Sequence, residues 1–264
     1  MAHLFWTSSR TSRINIAVQA TRDLAVRKHR EGGKFFATMS NVRTGRRNYY
    51  NVFSYVYDAF INLHARRYAG DTRNFLVEMA NQEEKSNPRI LDICCGTGAV
   101  IAAFANRYPE SVTVGYDFSR GMLGKARNKQ ESRKTIFIEG DAAFLPFADE
   151  SFDIVTCSHA LYELKGPTRQ TALQEMKRVI CSNGSVLLME HEVPHHPLIK
   201  ILFNIRMMTM GSADAIEFVK GGLVPFRRIF PDVSRYSSPT GKSKLIVCRK
   251  HGIIQEGETS KNKQ

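Results

Sequence analysis

The segment Ile90-Leu91-Asp92-Ile93-Cys94-Cys95-Gly96-Thr97-Gly98 constrains this chain more than any other. The run Ile90 to Ile93 suits a buried strand, and Gly96 and Gly98 let the backbone turn sharply and come close to a ligand. Ala99-Val-Ile-Ala-Ala-Phe-Ala105 follows with good helix formers and no breaker, so the turn opens a helix. Val112-Thr-Val-Gly-Tyr-Asp117 reads as the next strand and ends on an acid. A strand, a glycine turn, a helix and a second strand closed by a carboxylate is how the edge of a parallel sheet grips the ribose of a nucleoside.

A dinucleotide fingerprint needs a third small residue, and Ile101 stands there. The acid before the glycines points elsewhere. Asp92 ends the first strand and would face a positive group, such as the amino end of S-adenosylmethionine. Thr135-Ile-Phe-Ile-Glu-Gly-Asp141 reads as a third strand ending in an acid suited to an adenine amino group. Phe152 to Ser158 and Gly184 to Glu190 read as the fourth and fifth strands.

With these pieces in place, residues 49–250 resemble the class I S-adenosylmethionine-dependent methyltransferases. The matching stretches are LDICCGTG, VGYDFSRGML, EGDAAFLPFADESFDIVTC and EMKRVICSNGSVLLMEH. The resemblance implies an α/β, Rossmann-like fold: a seven-stranded, mostly parallel sheet with helices on both faces and an antiparallel member in its last strand pair. It implies that Asp92, Cys94, Gly96 and Gly98 line the methionine end of the cofactor, that Asp117 takes the ribose, and that Asp141 and Ala142 flank the adenine. Phe118 and Met122 would be apolar neighbours of the base, and Ser158 would complete the cofactor set. The superfamily motif is usually D-x-G-x-G-x-G, so Cys94 stands at its first glycine. That departure is also met in the ubiquinone/menaquinone C-methyltransferase branch, to which this chain is most similar. The Gly-x-Arg-Asn-type segment usual there after the fourth strand is replaced by Ser158-His-Ala-Leu-Tyr-Glu-Leu164.

The acceptor is expected to be a small apolar molecule such as a quinol precursor. N- or O-methylation of another metabolite or a lipid headgroup stays open, as does a cofactor-binding regulatory protein without transferase activity. His159, Tyr162 and Glu163 follow the fourth strand, where the resemblance implies acceptor-facing residues, and any of them could take a proton during transfer. His191-Glu-Val-Pro-His195 matches the H-E-x-x-H zinc motif in letters only, because Pro194 disrupts the helix that motif needs. A looser metal site from Glu190, His191, His195 and His196 is the alternative to a loop lining the acceptor pocket, and no metal is expected.

Further elements are expected around the sheet, which should run through five strand–helix units. Helices are expected over Thr72 to Asn81, Pro167 to Val179, Leu198 to Met210, Ala213 to Gly221 and Val224 to Phe230. Cys181 to Gly184 should be a turn, and Arg235 to Cys248 a closing hairpin. Tyr49, Tyr50, Phe53, Tyr57 and Phe60 recur near helical spacing, which fits either a packed helix or a lid over the cofactor. Leu198 to Met210 fits a core helix, an acceptor channel or a membrane-surface contact.

The net charge of +13 lies mostly in the ends. Residues 1–48 carry +8 and residues 249–264 carry +2, so the central domain has only +3. That balance, without an RNA-module motif, disfavours nucleic acid as partner. Three domains of composition follow: a basic extension over 1–48, the methyltransferase-like domain over 49–250 and a polar tail over 251–264. Residues 1–38 fit a transit peptide, a basic arm, or a leader before translation starts at Met39. Five cysteines without CxxC spacing suggest reduced thiols in a cytoplasmic setting. No run of 18 apolar residues predicts a membrane span, which leaves peripheral contact open.

Overall fold

A computed structural model describes residues 47–52, 54–55, 69–80, 86–129, 135–210 and 213–251. The expectations for residues 1–46, Phe53, Tyr57, Phe60 and 252–264 lie outside the described residues. Seven strands form one sheet: β1 (Ile90–Ile93), β2 (Thr113–Asp117), β3 (Thr135–Glu139), β4 (Phe152–Ser158), β5 (Ile180–His191), β6 (Asp232–Ser237) and β7 (Ser243–Arg249). Their spatial order is β3-β2-β1-β4-β5-β7-β6, with β7 running antiparallel between β5 and β6. The helices are α1 (Ala69–Met79), α2 (Ala99–Arg107), α3 (Arg120–Lys129), α4 (Gly166–Val179), α5 (Pro197–Met210), α6 (Ala215–Lys220) and α7 (Val224–Arg227).

The central strands are buried on both faces, so they read as continuous apolar runs. Alternation still sorts their side chains. Ile90, Ile154, Leu187, Met189, Leu245 and Val247 pack with Leu76, Ile101 and Phe104 under α1 and α2. Leu91, Ile93, Val155, Val186, Leu188 and Ile246 form the opposite core with Leu173 and Met176 of α4 and Phe218 and Phe226 of α6 and α7. By the same period, Asp92 shares the first face and Glu190 the second.

Three local expectations change. The link from β3 to β4 carries no helix, although five strand–helix units were expected. Its carbonyls are satisfied by side chains instead. Tyr116 donates its hydroxyl to the carbonyls of Asp141 and Phe144, and Arg178 donates to those of Leu145 and Phe147. The expected turn at Cys181 to Gly184 lies inside β5 as an irregularity opposite Phe152 and Ile154. Gly184 there sits so close to the Asp153 carbonyl that a Cβ would lie 2.8 Å from it. Finally, β3 ends at Glu139, and Asp141 stands in the turn beyond it.

Candidate functional site

Strand order reverses between β1 and β4, since β2 and β3 lie on one side and β5 on the other. A crevice at the carboxyl ends of such strands is where open α/β sheets bind ligands. The turn after β1 opens it. Cys94, Gly96 and Gly98 have φ of 56°, 53° and 78°, all left-handed. Glycine adopts this region freely, whereas a cysteine there costs on the order of 1 kcal/mol. A Cβ built on Gly96 would meet nothing within 4 Å, so the turn faces open space. The Cys94 thiol is hydrogen-bonded to buried Cys157 of β4.

Asp92 is 1% exposed, and its Oδ2 has no hydrogen-bond partner. Burial, with the Asp117 charge second, drives its carboxyl well above the usual carboxylate range. A cation or amine in the crevice would reverse that cost. Asp117 accepts from the Gly96 amide at 2.9 Å and the Ser119 amide at 2.8 Å, which stitches β2 to the glycine turn. Burial nonetheless raises it to about 6.

On the β3 side, Asp141 accepts from the Ala143 amide at 2.9 Å, and Ala142 is buried beside it. Met122 is buried in the first turn of α3, while Phe118 is half-buried and meets the Tyr50 ring at 5.7 Å. Residues 47–52 and 54–55 are helical and lie across these strand ends. The Asn51 Oδ1 accepts from the Ser119 hydroxyl at 2.9 Å and the Gly121 amide at 3.0 Å. Gly121 permits this approach, because a Cβ there would lie 2.8 Å from the Asn51 carbonyl oxygen. The Tyr50 hydroxyl donates to Glu163, and Arg47 pairs with Glu139. This helical segment therefore straps β2, β3 and the turn after β4.

Ser158, His159, Tyr162 and Glu163 gather at the end of β4. The His159 Nδ1 lies 3.2 Å from the Ser158 hydroxyl and Nε2 lies 3.0 Å from that of Ser243. Burial, then the charge of Arg206, lowers the imidazole to about 4, so it is neutral at physiological pH. Its backbone is left-handed at φ 53°. Tyr162 is buried, and burial pushes its phenol far up. The His191 ring stacks edge-on against His159 at 4.4 Å and approaches Tyr162 at 5.3 Å and Phe203 at 6.2 Å. The His191 Nε2, the Asn204 Oδ1 and both Glu190 oxygens are buried without a hydrogen-bond partner. The segment after His191 is irregular rather than helical up to Pro197, and His195 and His196 are exposed. Among the described residues no three His, Cys, Asp or Glu side chains gather as metal ligands.

Sequence reasoning passed over Asn51, Ser243 and Lys244 as site residues. Asn51 lies one residue from Tyr50, but its partners are 68 and 70 residues away in the chain. Ser243 and Lys244 enter through β7, whose pairing with β5 sets Ser243 opposite His191 and Lys244 opposite Glu190. A cavity of about 320 Å³ adjoins this pair, lined by Glu192, Lys200, Val219, Lys220, Arg235 and Lys244 among others. It lies beyond β5, away from the glycine turn.

Comparison with known proteins agrees with this geometry. Residues 90–184 match the family described as "Methyltransferase domain". A demethylmenaquinone methyltransferase of Lactobacillus johnsonii is 38% identical over 122 residues, which is 44% of this chain and 49% of the relative. The same-named protein of Staphylococcus aureus strain JH9 is 35% identical over 127 residues, 47% of this chain and 52% of the relative. The chain spans about half the length of the curated relatives it matches. In fold, it resembles a chain of the complex between the Haloferax volcanii Trm112 methyltransferase activator and its methyltransferase, with a TM-score of 0.59 at 15% identity over 76% of this chain and 98% of the other. Human N-acetylserotonin methyltransferase in complex with SAM gives 0.56 at 15% identity, over 84% of this chain and 60% of the other. The likeness to these solved structures is one of fold, a seven-stranded and mostly parallel sheet.

Proposed function

We propose, for a chain whose residues 90–184 match a methyltransferase domain, that it transfers a methyl group from S-adenosylmethionine to a small apolar acceptor of the quinol-precursor kind. The observation that carries this reading is Asp92, a buried acid with an orphaned oxygen at the foot of an open glycine turn. An ammonium group bound there supplies the missing partner and returns the carboxyl to its charged form. When bound, the cofactor supplies an electrophilic methyl on a sulfonium that is already a good leaving group. The chain's residues then have to hold, orient and exclude water. Asp117, held by the Gly96 amide, takes the ribose, and Asp141 with Ala142 takes the adenine. Tyr50 and Asn51 close the crevice from above, which strengthens electrostatics within it.

The acceptor side supports the same conclusion. Tyr162, His159, His191 and Phe203 present rings rather than charges, as suits a planar apolar molecule. His159 at about 4 is a weak base with both nitrogens facing serine hydroxyls, so its role is to orient. Glu163, half-buried at the same edge, is the carboxylate placed to take a proton from the acceptor. The relatives' name, demethylmenaquinone methyltransferase, supports the acceptor class.

The test is calorimetric titration with S-adenosylhomocysteine, followed by turnover on demethylated quinols. Micromolar binding that Asp117→Ala removes, with S-adenosylhomocysteine released only when quinol is present, is the expected outcome. Binding without turnover on quinols, phenols or amines would make the protein a cofactor sensor, and absence of binding would remove the reading altogether.

A further inference from the structure

Helix α5 is turned the wrong way for a helix in water. Leu198, Ile199, Ile201, Leu202, Ile205 and Met208 are 67%, 54%, 56%, 66%, 52% and 74% exposed. At about 100° per residue these six span roughly half the helix circumference. Met207, on the opposite side, is fully buried, and Phe203 and Asn204 are half-buried. A surface helix ordinarily buries its aliphatic stripe and shows charge outside. Here one methionine anchors the helix and the aliphatics face out. Six large apolar side chains on one outward face exceed the scattered exposure normal for a protein surface.

The surroundings decide what covers this face. Pro197–Met210 contains no acid. Its first turns border the 320 Å³ cavity, which Lys200, Lys220, Arg235 and Lys244 line with Glu192 as the one acid. Glu192 is already paired with Arg235 at 2.5 Å. The cavity thus has an excess of lysines next to an apolar face. A second copy docking on the same face would bring Lys200 and Lys220 toward their own symmetry mates. An anionic bilayer complements both features, with acyl chains for the aliphatics and headgroup phosphates for the lysines. Fourteen residues of helix are about 21 Å long, too short to cross a hydrocarbon core of about 30 Å. Among the described residues no helix is long and apolar enough to cross a membrane.

We propose that α5 lies in the interface of an anionic membrane, its outward aliphatics inserted and Lys200 and Lys220 holding a lipid phosphate at its base. This contact is independent of the chemistry assigned to the glycine crevice, since no α5 side chain that it uses borders the cofactor site.

The experiment is co-sedimentation of the full chain with phosphatidylcholine vesicles containing roughly a third phosphatidylglycerol, against pure phosphatidylcholine. The wild type is expected to bind the anionic vesicles and to be released by high salt. Leu198→Ser/Leu202→Ser/Ile205→Ser should abolish binding. Lys200→Ser/Lys220→Ser should weaken it on the order of 25-fold, at about a fivefold loss per basic residue. Circular dichroism and S-adenosylhomocysteine affinity equal to wild type show that each variant is folded and that its cofactor site is intact. Binding that both variants retain would assign it to the basic N-terminal segment and overturn the proposal. So would equal binding to neutral vesicles. A wild-type dimer that the serine variant converts to monomer, with no vesicle binding, would make α5 a self-association surface instead.

Discussion

Glu190 makes stability depend on pH in a direction opposite to that of an ordinary paired carboxylate. It is 1% exposed, and neither oxygen has a hydrogen-bond partner. Burial raises it to about 8, against the pull of Lys244 and Arg169. Its folded value therefore lies above the unfolded value of about 4.3. Between the two, the folded state binds a proton that the unfolded state has lost. Stability is then full below the unfolded value and falls as pH rises through the folded one. At about 1.36 kcal/mol per pH unit of slope, levelling near the folded value, the loss from pH 6.5 to pH 9 comes to about 2 kcal/mol. Asp92, whose carboxyl burial also drives well above the usual range, acts in the same sense, and the comparison isolates Glu190 because Glu190→Gln keeps Asp92. Asp117, at about 6, has finished most of its change, and lowered His159, at about 4, acts in the acid range. The buried thiols, raised above their usual value, also favour the unfolded state as pH approaches 9, but both proteins carry them, so their contribution cancels in the comparison. Glu190→Gln copies the neutral acid and carries no proton to lose. Urea unfolding at pH 6.5, 7.5 and 9 should show wild type losing about 2 kcal/mol relative to the variant. Parallel curves would refute the reasoning and mean that Glu190 is charged in the folded protein.

Two further perturbations follow from single positions. Cys94→Gly should leave stability within about 1 kcal/mol of wild type, because relief of the left-handed backbone offsets the added chain entropy and the lost contact with Cys157. Cys94→Val should cost about 2 kcal/mol or more in the same urea experiment, since a β-branched residue tolerates that backbone least. Gly140→Ala places a Cβ 1.9 Å from the Tyr116 hydroxyl, which holds the Asp141 turn through two carbonyls. It should destabilise by about 1–3 kcal/mol in the same urea experiment, and Tyr116→Phe should not restore it, because the ring carbons Cζ and Cε2 still stand 2.4 and 2.8 Å from that Cβ.

Much of the fold was legible in the chain because its signals are local. Ile90 to Ile93 and Phe152 to Ser158 are short apolar runs, and each became a strand within its expected bounds. Gly96 and Gly98 announced a left-handed turn that only such residues take easily, and Pro167 sits in the first turn of α4, where its missing amide costs nothing. The β3–β4 link deceived because its carbonyls are satisfied by Tyr116 and Arg178, at 25 to 33 residues' remove. Position after the fourth strand let His159 be read either as a base or as a hydrogen-bonded structural residue, and its serine partners, Ser158 beside it and Ser243 84 residues away, come together only in the fold.

The sequence by itself determined the strands, the glycine turn and the acids Asp92 and Asp117, because periodicity and backbone preference act over a few residues. Only tertiary structure set Glu190 opposite Lys244, tied Asn51 to Ser119 and turned the aliphatics of α5 outward. Those outcomes depend on which distant surfaces meet, and desolvation acts on a group only once they have met.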